Sequence, residues 1–278
     1  MLESFFPFVD IGQLVKIAVR AGQIVMQYYR SSTLSIFNKS DHSPVTDADH
    51  EAHRFINKSL LRLTPHIPIL SEEGDHIPYE ARKDWETFWL VDPLDGTQEF
   101  IGQTGEFAVC IALIYKNYPL VGTIYLPALQ ELFFADGKHA FKVLPNNKIM
   151  RLILPQAPPK APWRAVGSKG KMPVQDCDFL WRNWGISHPV HMGSALKYCI
   201  LAEGKADIFY RTRGNSEWDS AAGQAILEQA GGHILNLTGE RFSYNKPSLL
   251  NPPFVCLGFS NKQLVMDALQ AIKKQIFS

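Results

Sequence analysis

Residues 88–97, Phe-Trp-Leu-Val-Asp-Pro-Leu-Asp-Gly-Thr, constrain this chain more than any other stretch. Phe88 to Val91 are aromatic or branched without a break, the pattern of a buried strand. Pro93 cannot donate to a sheet ladder, which predicts that the strand ends by Asp92. Asp92 and Asp95 then fall within one tight turn, with Gly96 and Thr97 directly behind. Two carboxylates fixed at a strand end beside backbone N–H groups can take a hard cation and an anionic oxygen together. An acid-rich capped turn would give the same spacing, so the rest of the chain has to decide.

The 278 residues leave room for one large domain or two moderate ones. A net charge of +1 and the lack of a basic block give no footprint for long nucleic acid. Met1 to Asp10 carries no Lys or Arg, unlike a signal peptide, and no apolar run is long enough to cross a bilayer. Cys110, Cys177, Cys199 and Cys256 are scattered in apolar contexts and read as buried free thiols. A cytoplasmic location is expected.

Asp10 to Arg30 has helical spacing with a capping signal at Asp10 and Gln13, and Ser31 to Ser43 reads as polar and irregular. Thr46 and Asp49 open a second helix that stops at Thr64-Pro65. A short run, His66 to Leu70, delivers Ser71-Glu-Glu-Gly74 to its tip, and Asp75 to Glu86 reads as a mobile polar loop. Phe107 to Ile114, Leu120 to Leu126 and Leu132 to Ala135 suggest an antiparallel meander, to which Ile149 to Leu154 could add a strand. Four prolines in Pro155 to Pro162 mark the expected division into residues 1–155 and 156–278. Beyond it, short strands at 165–166, 190–191, 208–210, 234–237 and 254–259 alternate with helices at 194–203, 220–229 and 262–277. The class is α/β or α+β in layers, with two sheets.

Further acids sit where elements begin or end. Asp47 and Asp49 lie in a first helical turn, Glu72 and Glu73 at a strand tip, and Asp219 at the head of an Ala-rich helix. Helix capping or plain solvation would explain each one singly. Together they could meet at one edge, where packed carboxylates repel unless a cation neutralises them, and oxygen-only ligands favour Mg²⁺ over Zn²⁺.

Leu70-Ser-Glu-Glu-Gly74, Trp89-Leu-Val-Asp-Pro-Leu-Asp-Gly-Thr97 and Trp218-Asp-Ser-Ala-Ala-Gly223 resemble the three signatures of the inositol monophosphatase superfamily of Mg²⁺-dependent, Li⁺-sensitive phosphatases. Val45-Thr-Asp-Ala-Asp49 resembles its N-terminal element. Within it, Leu94-Asp-Gly-Thr-Gln-Glu-Phe100, Gly105-Glu-Phe107, Gly193-Ser-Ala-Leu-Lys197, Ala202-Glu-Gly204 and Asn251-Pro are similar to the CysQ-type 3′(2′),5′-bisphosphate nucleotidases. The resemblance implies a sugar-phosphatase-like αβαβα sandwich and two or three Mg²⁺ ions held by Glu72, Asp92, the Leu94 carbonyl, Asp95 and Asp219. It implies that Asp49, Glu72 and Thr97 position or deprotonate the attacking water, and that the Gly96 and Thr97 backbone holds the scissile phosphate. The implied reaction is removal of the 3′-phosphate of adenosine 3′,5′-bisphosphate to give AMP, with the 5′-phosphosulfate analogue as a second candidate substrate.

Gly193, Ser194, Lys197 and Arg211 are then candidates for substrate binding, since Arg forks onto phosphate and Lys supplies a point charge. A surface helix start (Ser194, Lys197) and a structural salt bridge (Arg211) are the alternatives. Two segments depart from the CysQ-type pattern. Tyr210-Arg-Thr-Arg-Gly214 replaces a P-R-F-G-P-like stretch, and Gly167-Ser-Lys-Gly170 stands where many relatives have a His-bearing S-R-S-H segment. Contacts to the second phosphate are therefore open. No acid occupies Tyr210 to Ser216, where inositol-specific relatives carry a sugar-binding Glu.

Several features mislead. Ser168-Lys-Gly-Lys171 fails as a P-loop, with Ala165 and Met172 at positions that need Gly and Ser or Thr. His188 and His191 read as core or surface residues, Asp176 and Asp178 as solvated acids, and Trp181 with Trp184 as a packed helix face. The competing functions are an inositol or sugar monophosphatase, a non-catalytic nucleotide or metal sensor, and a structural partner protein. CysQ-type relatives can sit peripherally on the cytoplasmic face of the inner membrane. The one local feature of that kind is Leu2 to Val9, which could equally pack on the fold.

Overall fold

Helix α1 (Ile11–Tyr29) forms where the apolar spacing puts Leu14, Ile17, Ala18, Ala21 and Val25 on one buried face, and Asp10 caps it by accepting the Gln13 N–H at 3.1 Å. The computed structural model describes residues 9–31, 35–38, 44–158, 162–169 and 174–277. All of Leu2 to Val9 but the buried Val9 therefore lies outside the described residues, as do Gly170 to Met172 and the Asp176, Cys177 and Asp178 side chains. Strand β1 (Ile36–Asn38) pairs antiparallel with β2 (Pro44–Thr46), so part of the stretch expected to be irregular is a small ribbon. Helix α2 (Asp47–Leu63) follows, and Thr46 and Asp49 make the predicted cap.

Strand β3 (Ile69–Ser71) pairs in parallel with β4 (Thr87–Asp95). Between them the expected mobile loop is instead tied down around helix α3 (Tyr79–Arg82). Arg82 is only 2 % exposed and donates to Asn245 Oδ1 at 2.8 Å and to the Ile77 and Pro247 carbonyls at 3.3 Å. A buried guanidinium needs such acceptors, and gathering them fixes the loop.

Strand β4 does not stop at Asp92. It runs on to Asp95 through a bulge, since Asp92 pairs with Cys110 but Asp95 with Ala108. Pro93 fits because a bulge leaves a residue outside the ladder. After helix α4 (Thr97–Ile101) come β5 (Ala108–Tyr115), β6 (Tyr118–Leu126), β7 (Glu131–Ala135), β8 (Ala140–Val143) and β9 (Ile149–Leu152). The meander extends the sheet to seven strands in the order β3-β4-β5-β6-β7-β8-β9. β8 has no counterpart in the sequence reading because Lys142 breaks its apolar run. Lys142 is nonetheless buried, paired with Glu131 at 2.9 Å and Glu203 at 2.8 Å.

The remainder is β10 (Val166–Gly167), α5 (Val174–Trp184), β11 (Val190–His191), α6 (Leu196–Ala202), β12 (Ile208–Arg211), α7 (Glu217–Gln229), β13 (His233–Asn236), β14 (Phe254–Leu257) and α8 (Lys262–Phe277). β10 and β11 form a parallel pair, and β12-β14-β13 an antiparallel sheet. Five layers result. Trp89 and Val91 of β4 face α1 and α2, whereas Phe88 and Leu90 face α6 and α7. That two-sided burial explains the unbroken apolar run. A Cβ on Gly122 of β6 would come within 2.9 Å of Ala222 O and Ala225 Cβ, so α7 approaches the sheet as closely as backbone permits. The three-stranded sheet covers α6 and α7, and α5 and α8 close its far side. Trp184 is packed as expected and stacks on Trp163 at 5.3 Å, but Trp181 is 60 % exposed, so the two do not share one buried face. Cys110, Cys199 and Cys256 are buried free thiols. No helix among the described residues is long and apolar enough to cross a membrane.

Candidate active site

Three chain segments deliver carboxylates to one point. Glu72 leaves the tip of β3, where its N–H donates to the Val91 carbonyl at 3.0 Å. Asp92 sits at the β4 bulge, 2 % exposed, and its Oδ1 accepts the Leu94 N–H at 3.1 Å. Asp219 is in the first turn of α7 and its Oδ2 accepts the Ser216 N–H at 3.0 Å. Ligand oxygens of Glu72, Asp92 and Asp219 all lie within 4.8 Å of one another. Asp95 stands apart from this trio, its Oδ2 accepting the Ala195 N–H.

The cluster is electrostatically loaded. Burial, then repulsion from Glu72, Asp95 and Asp219, pushes the Asp92 carboxyl well above its ordinary range. Burial with Asp95 and Glu72 does the same to Asp219, against the Ser216 N–H and Arg211. Burial lifts Asp95 to about 6, with Lys197 and the Ala195 N–H pulling the other way. Such a group either holds protons or takes a cation, and its oxygen-only donor set fits a hard divalent ion.

Beside it, Thr97 Oγ1 heads α4 and lies 3.2 Å from Asp49 Oδ1 and 3.3 Å from the Leu94 carbonyl. The other Asp49 oxygen accepts both the N–H and the hydroxyl of Thr46, at 2.8 and 2.6 Å. Burial raises the Asp49 carboxyl despite these bonds. Gly96 has φ +94°, and a Cβ there would meet the Glu106 carbonyl at 3.0 Å and Ser194 Cβ at 3.1 Å. Only glycine lets this turn pass so close to the Gly193–Ser194 loop.

A cavity of about 240 Å³ opens from this point, lined among others by Asp95, Gly96, Gly193, Ser194, Lys197, Arg211 and Asp219. Seven residues expected from sequence to hold metal or substrate thus line one cavity. Glu72 and Thr97, outside that lining, border the acids, and the Leu94 carbonyl faces the Thr97 hydroxyl. Lys197 is 6 % exposed and donates to Met192 O at 3.2 Å and Ser194 O at 2.7 Å. Burial lowers its amine, opposed by Asp95. The expected histidines stay outside: His188 meets Ser187, and His191 Nδ1 donates to the Ser168 carbonyl at 2.9 Å. Asp47 and Glu73 are not in the acidic trio. Glu99, Lys169, Tyr198 and Asn215 also line the cavity, and Glu106 binds the Gly193 N–H at 2.7 Å. Sequence assigned no role to any of these, although Glu99, Glu106 and Lys169 lie in segments that it singled out.

The profile of the inositol monophosphatase family matches residues 10–274. The chain belongs to that family. The 3′(2′),5′-bisphosphate nucleotidase CysQ of Salmonella typhimurium is 38% identical over 246 residues, covering 88% of this chain and 98% of that protein. CysQ of Escherichia coli K12 is 37% identical over the same length and the same shares. The crystal structure of CysQ from Bacteroides thetaiotaomicron, described as a bacterial member of the family, aligns with a TM-score of 0.76 at 36% identity, over 88% of this chain and 96% of that one. The family is metal-dependent, and the acidic trio here is able to hold an ion.

Proposed function

We propose that this chain is a Mg²⁺-dependent 3′(2′),5′-bisphosphate nucleotidase that hydrolyses the 3′-phosphate of adenosine 3′,5′-bisphosphate to AMP and inorganic phosphate. One observation carries the reading: the small cavity beside the oxygen-only acidic trio is lined by Asp95 and Asp219 and also by Lys197 and Arg211. Acids for a metal beside cations for a second phosphate suit a substrate with two phosphates. The CysQ relatives carry this activity in their names.

Glu72, Asp92 and Asp219 would hold Mg²⁺ with Asp95 and the Leu94 carbonyl. When bound, Mg²⁺ supplies a Lewis acid for the phosphoryl oxygens and makes a bound water more acidic. The Thr97 hydroxyl has one hydrogen, and Asp49 Oδ1 is its charged acceptor. Its oxygen is thereby turned to accept from the attacking water, and Asp49, its other oxygen already occupied by Thr46, receives the proton through it. Glu72 is a second acceptor at the same place. The N–H groups of Gly96 and Thr97 open α4 ahead of its first bond, from Phe100 N–H to the Gly96 carbonyl at 2.9 Å, and are available to the scissile phosphate.

Phosphate release from adenosine 3′,5′-bisphosphate and from inositol 1-phosphate, measured side by side with Mg²⁺ and then with added Li⁺, tests the proposal. Rapid Li⁺-inhibited release from the nucleotide alone is expected. Preference for inositol 1-phosphate would overturn it.

A further inference from the structure

We propose that Lys169 is a specificity-determining residue that grips the phosphate not being cleaved, with Glu106 as its resting partner while the cavity holds no substrate. The inference rests on the bisphosphate reading above. Among the described residues three cations line the cavity: Lys169, Lys197 and Arg211. Lys197 is the least able to reach a ligand, being buried with two of its three donors committed to backbone carbonyls. It holds the start of α6 and balances Asp95, and is left with one hydrogen to offer. Lys169 is different in kind. Its side chain is 36 % exposed and, among the described residues, its amine is paired with Glu106 alone, Nζ to Oε2 at 2.8 Å.

That pairing is easily exchanged. Glu106 Oε2 already accepts the Gly193 N–H at 2.7 Å, so one oxygen serves two donors, and the ion pair is partly solvated on both sides. Such pairs contribute little, whereas a phosphate dianion offers more charge and three acceptor oxygens. When Lys169 turns away, Glu106 keeps the Gly193 N–H and is not left bare. The backbone leading to Lys169 is meanwhile fixed: Met192 N–H donates to the Gly167 carbonyl at 3.0 Å and His191 Nδ1 to the Ser168 carbonyl at 2.9 Å. The segment that anchors Lys169 thus continues directly into Gly193, Ser194 and Lys197. Lys169 can change partner by side-chain rotation alone, with the rest of the wall unmoved.

The test compares adenosine 3′,5′-bisphosphate with adenosine 3′-monophosphate, which lacks the second phosphate, in the Mg²⁺-loaded enzyme. Lys169→Met should lower the ratio of kcat/KM for the bisphosphate over the monophosphate about tenfold, through KM, the loss of one charge-assisted contact. Lys169→Arg should restore most of that ratio. Glu106→Gln, which keeps an acceptor for Gly193 but loses the charge, should shift KM for the bisphosphate the other way, two- to threefold lower. A ratio unmoved by Lys169→Met, or KM raised alike by Lys169→Met and Glu106→Gln, overturns the proposal and makes the ion pair a structural strut. Wild-type enzyme that releases phosphate from neither nucleotide refutes the nucleotidase reading itself, and this inference with it.

Discussion

The acidic and the cationic side of the site, taken as two sets of side chains, are held in opposite ways. Among the acids three carboxylates are fixed by a backbone N–H two or three residues away, Asp92 by Leu94, Asp219 by Ser216 and Asp49 by Thr46, and Asp95 is held by the Ala195 N–H. On the cationic side Lys169 is held by Glu106, and Arg211 is presented from β12 with no side-chain hydrogen bond or ion pair among the described residues. The acidic side is rigid before any ligand arrives, which suits a metal whose geometry must be met closely. Lys169 and Arg211, unlike the buried Lys197, are held loosely enough to exchange partners, which suits the part of a substrate that only has to be captured. Chemistry and selectivity should therefore respond to different mutations.

The largest effect belongs to the acidic side. Asp219→Asn keeps an oxygen for the Ser216 N–H but removes one charge from the trio, and phosphate release should fall about a thousandfold or more, ~4 kcal/mol of transition-state stabilisation. Removing one of several repelling carboxylates costs the bare protein nothing, so its thermal midpoint without metal should hold or rise. A variant retaining a tenth of wild-type turnover would dissolve the distinction between the two sides. Thr97→Val follows, with kcat down about a hundredfold at nearly constant KM, as for loss of a proton-transfer group. Thr97→Ser should recover most of it; steady-state kinetics in which both variants behave alike would reduce Thr97 to packing.

The same contrast governs how much could be read without coordinates. The capping box at Thr46 and Asp49, the β4 run and the α7 start are local patterns that sequence could locate, although β4 runs on to Asp95 and α7 starts at Glu217, so that Asp219 lies within its first turn. The bulge that carries β4 past Pro93 was not legible, because it depends on register against β5. Nor was Arg82, whose polar partners Asn245 and Pro247 come from a distant loop. Lys142 hid β8 for the same reason: its neutralising Glu131 and Glu203 are close in space and remote in sequence. Lys169 and Glu106 belong to this class too. Sequence finds residues whose partners are neighbours in the chain and misses those whose partners are brought by the fold.

Arg211→Met sharpens the comparison from the cationic side. It should raise KM for the bisphosphate about tenfold while leaving kcat close to wild type, since a contact made equally in ground and transition states acts on binding alone. A matching fall in kcat, seen in the same saturation curves, would mean that the two sides are not independent.

The smallest effect is on stability, and its sign follows from the acids. Burial and mutual repulsion raise the carboxyls of Asp92 and Asp219 and lift Asp95 to about 6. Between pH ~4 and ~6 the folded protein thus keeps protons that the unfolded chain has released, so folding is favoured at the acid end of that window and loses ground as pH rises through it. As the pH rises further and these protons leave, the metal-free cluster is left with unneutralised charge. A divalent cation should cancel that loss by binding the folded form. Thermal melts with and without Mg²⁺ should differ by a few degrees at pH 8, roughly 3–6 °C, and by much less at pH 5, where protons already occupy the same oxygens. Lys169 gives the control: Lys169→Met, which leaves every carboxylate in place, should leave that Mg²⁺-dependent gap as it is, whereas Asp219→Asn should narrow it. A gap that is equal at both pH values would place the cation somewhere other than among these carboxylates.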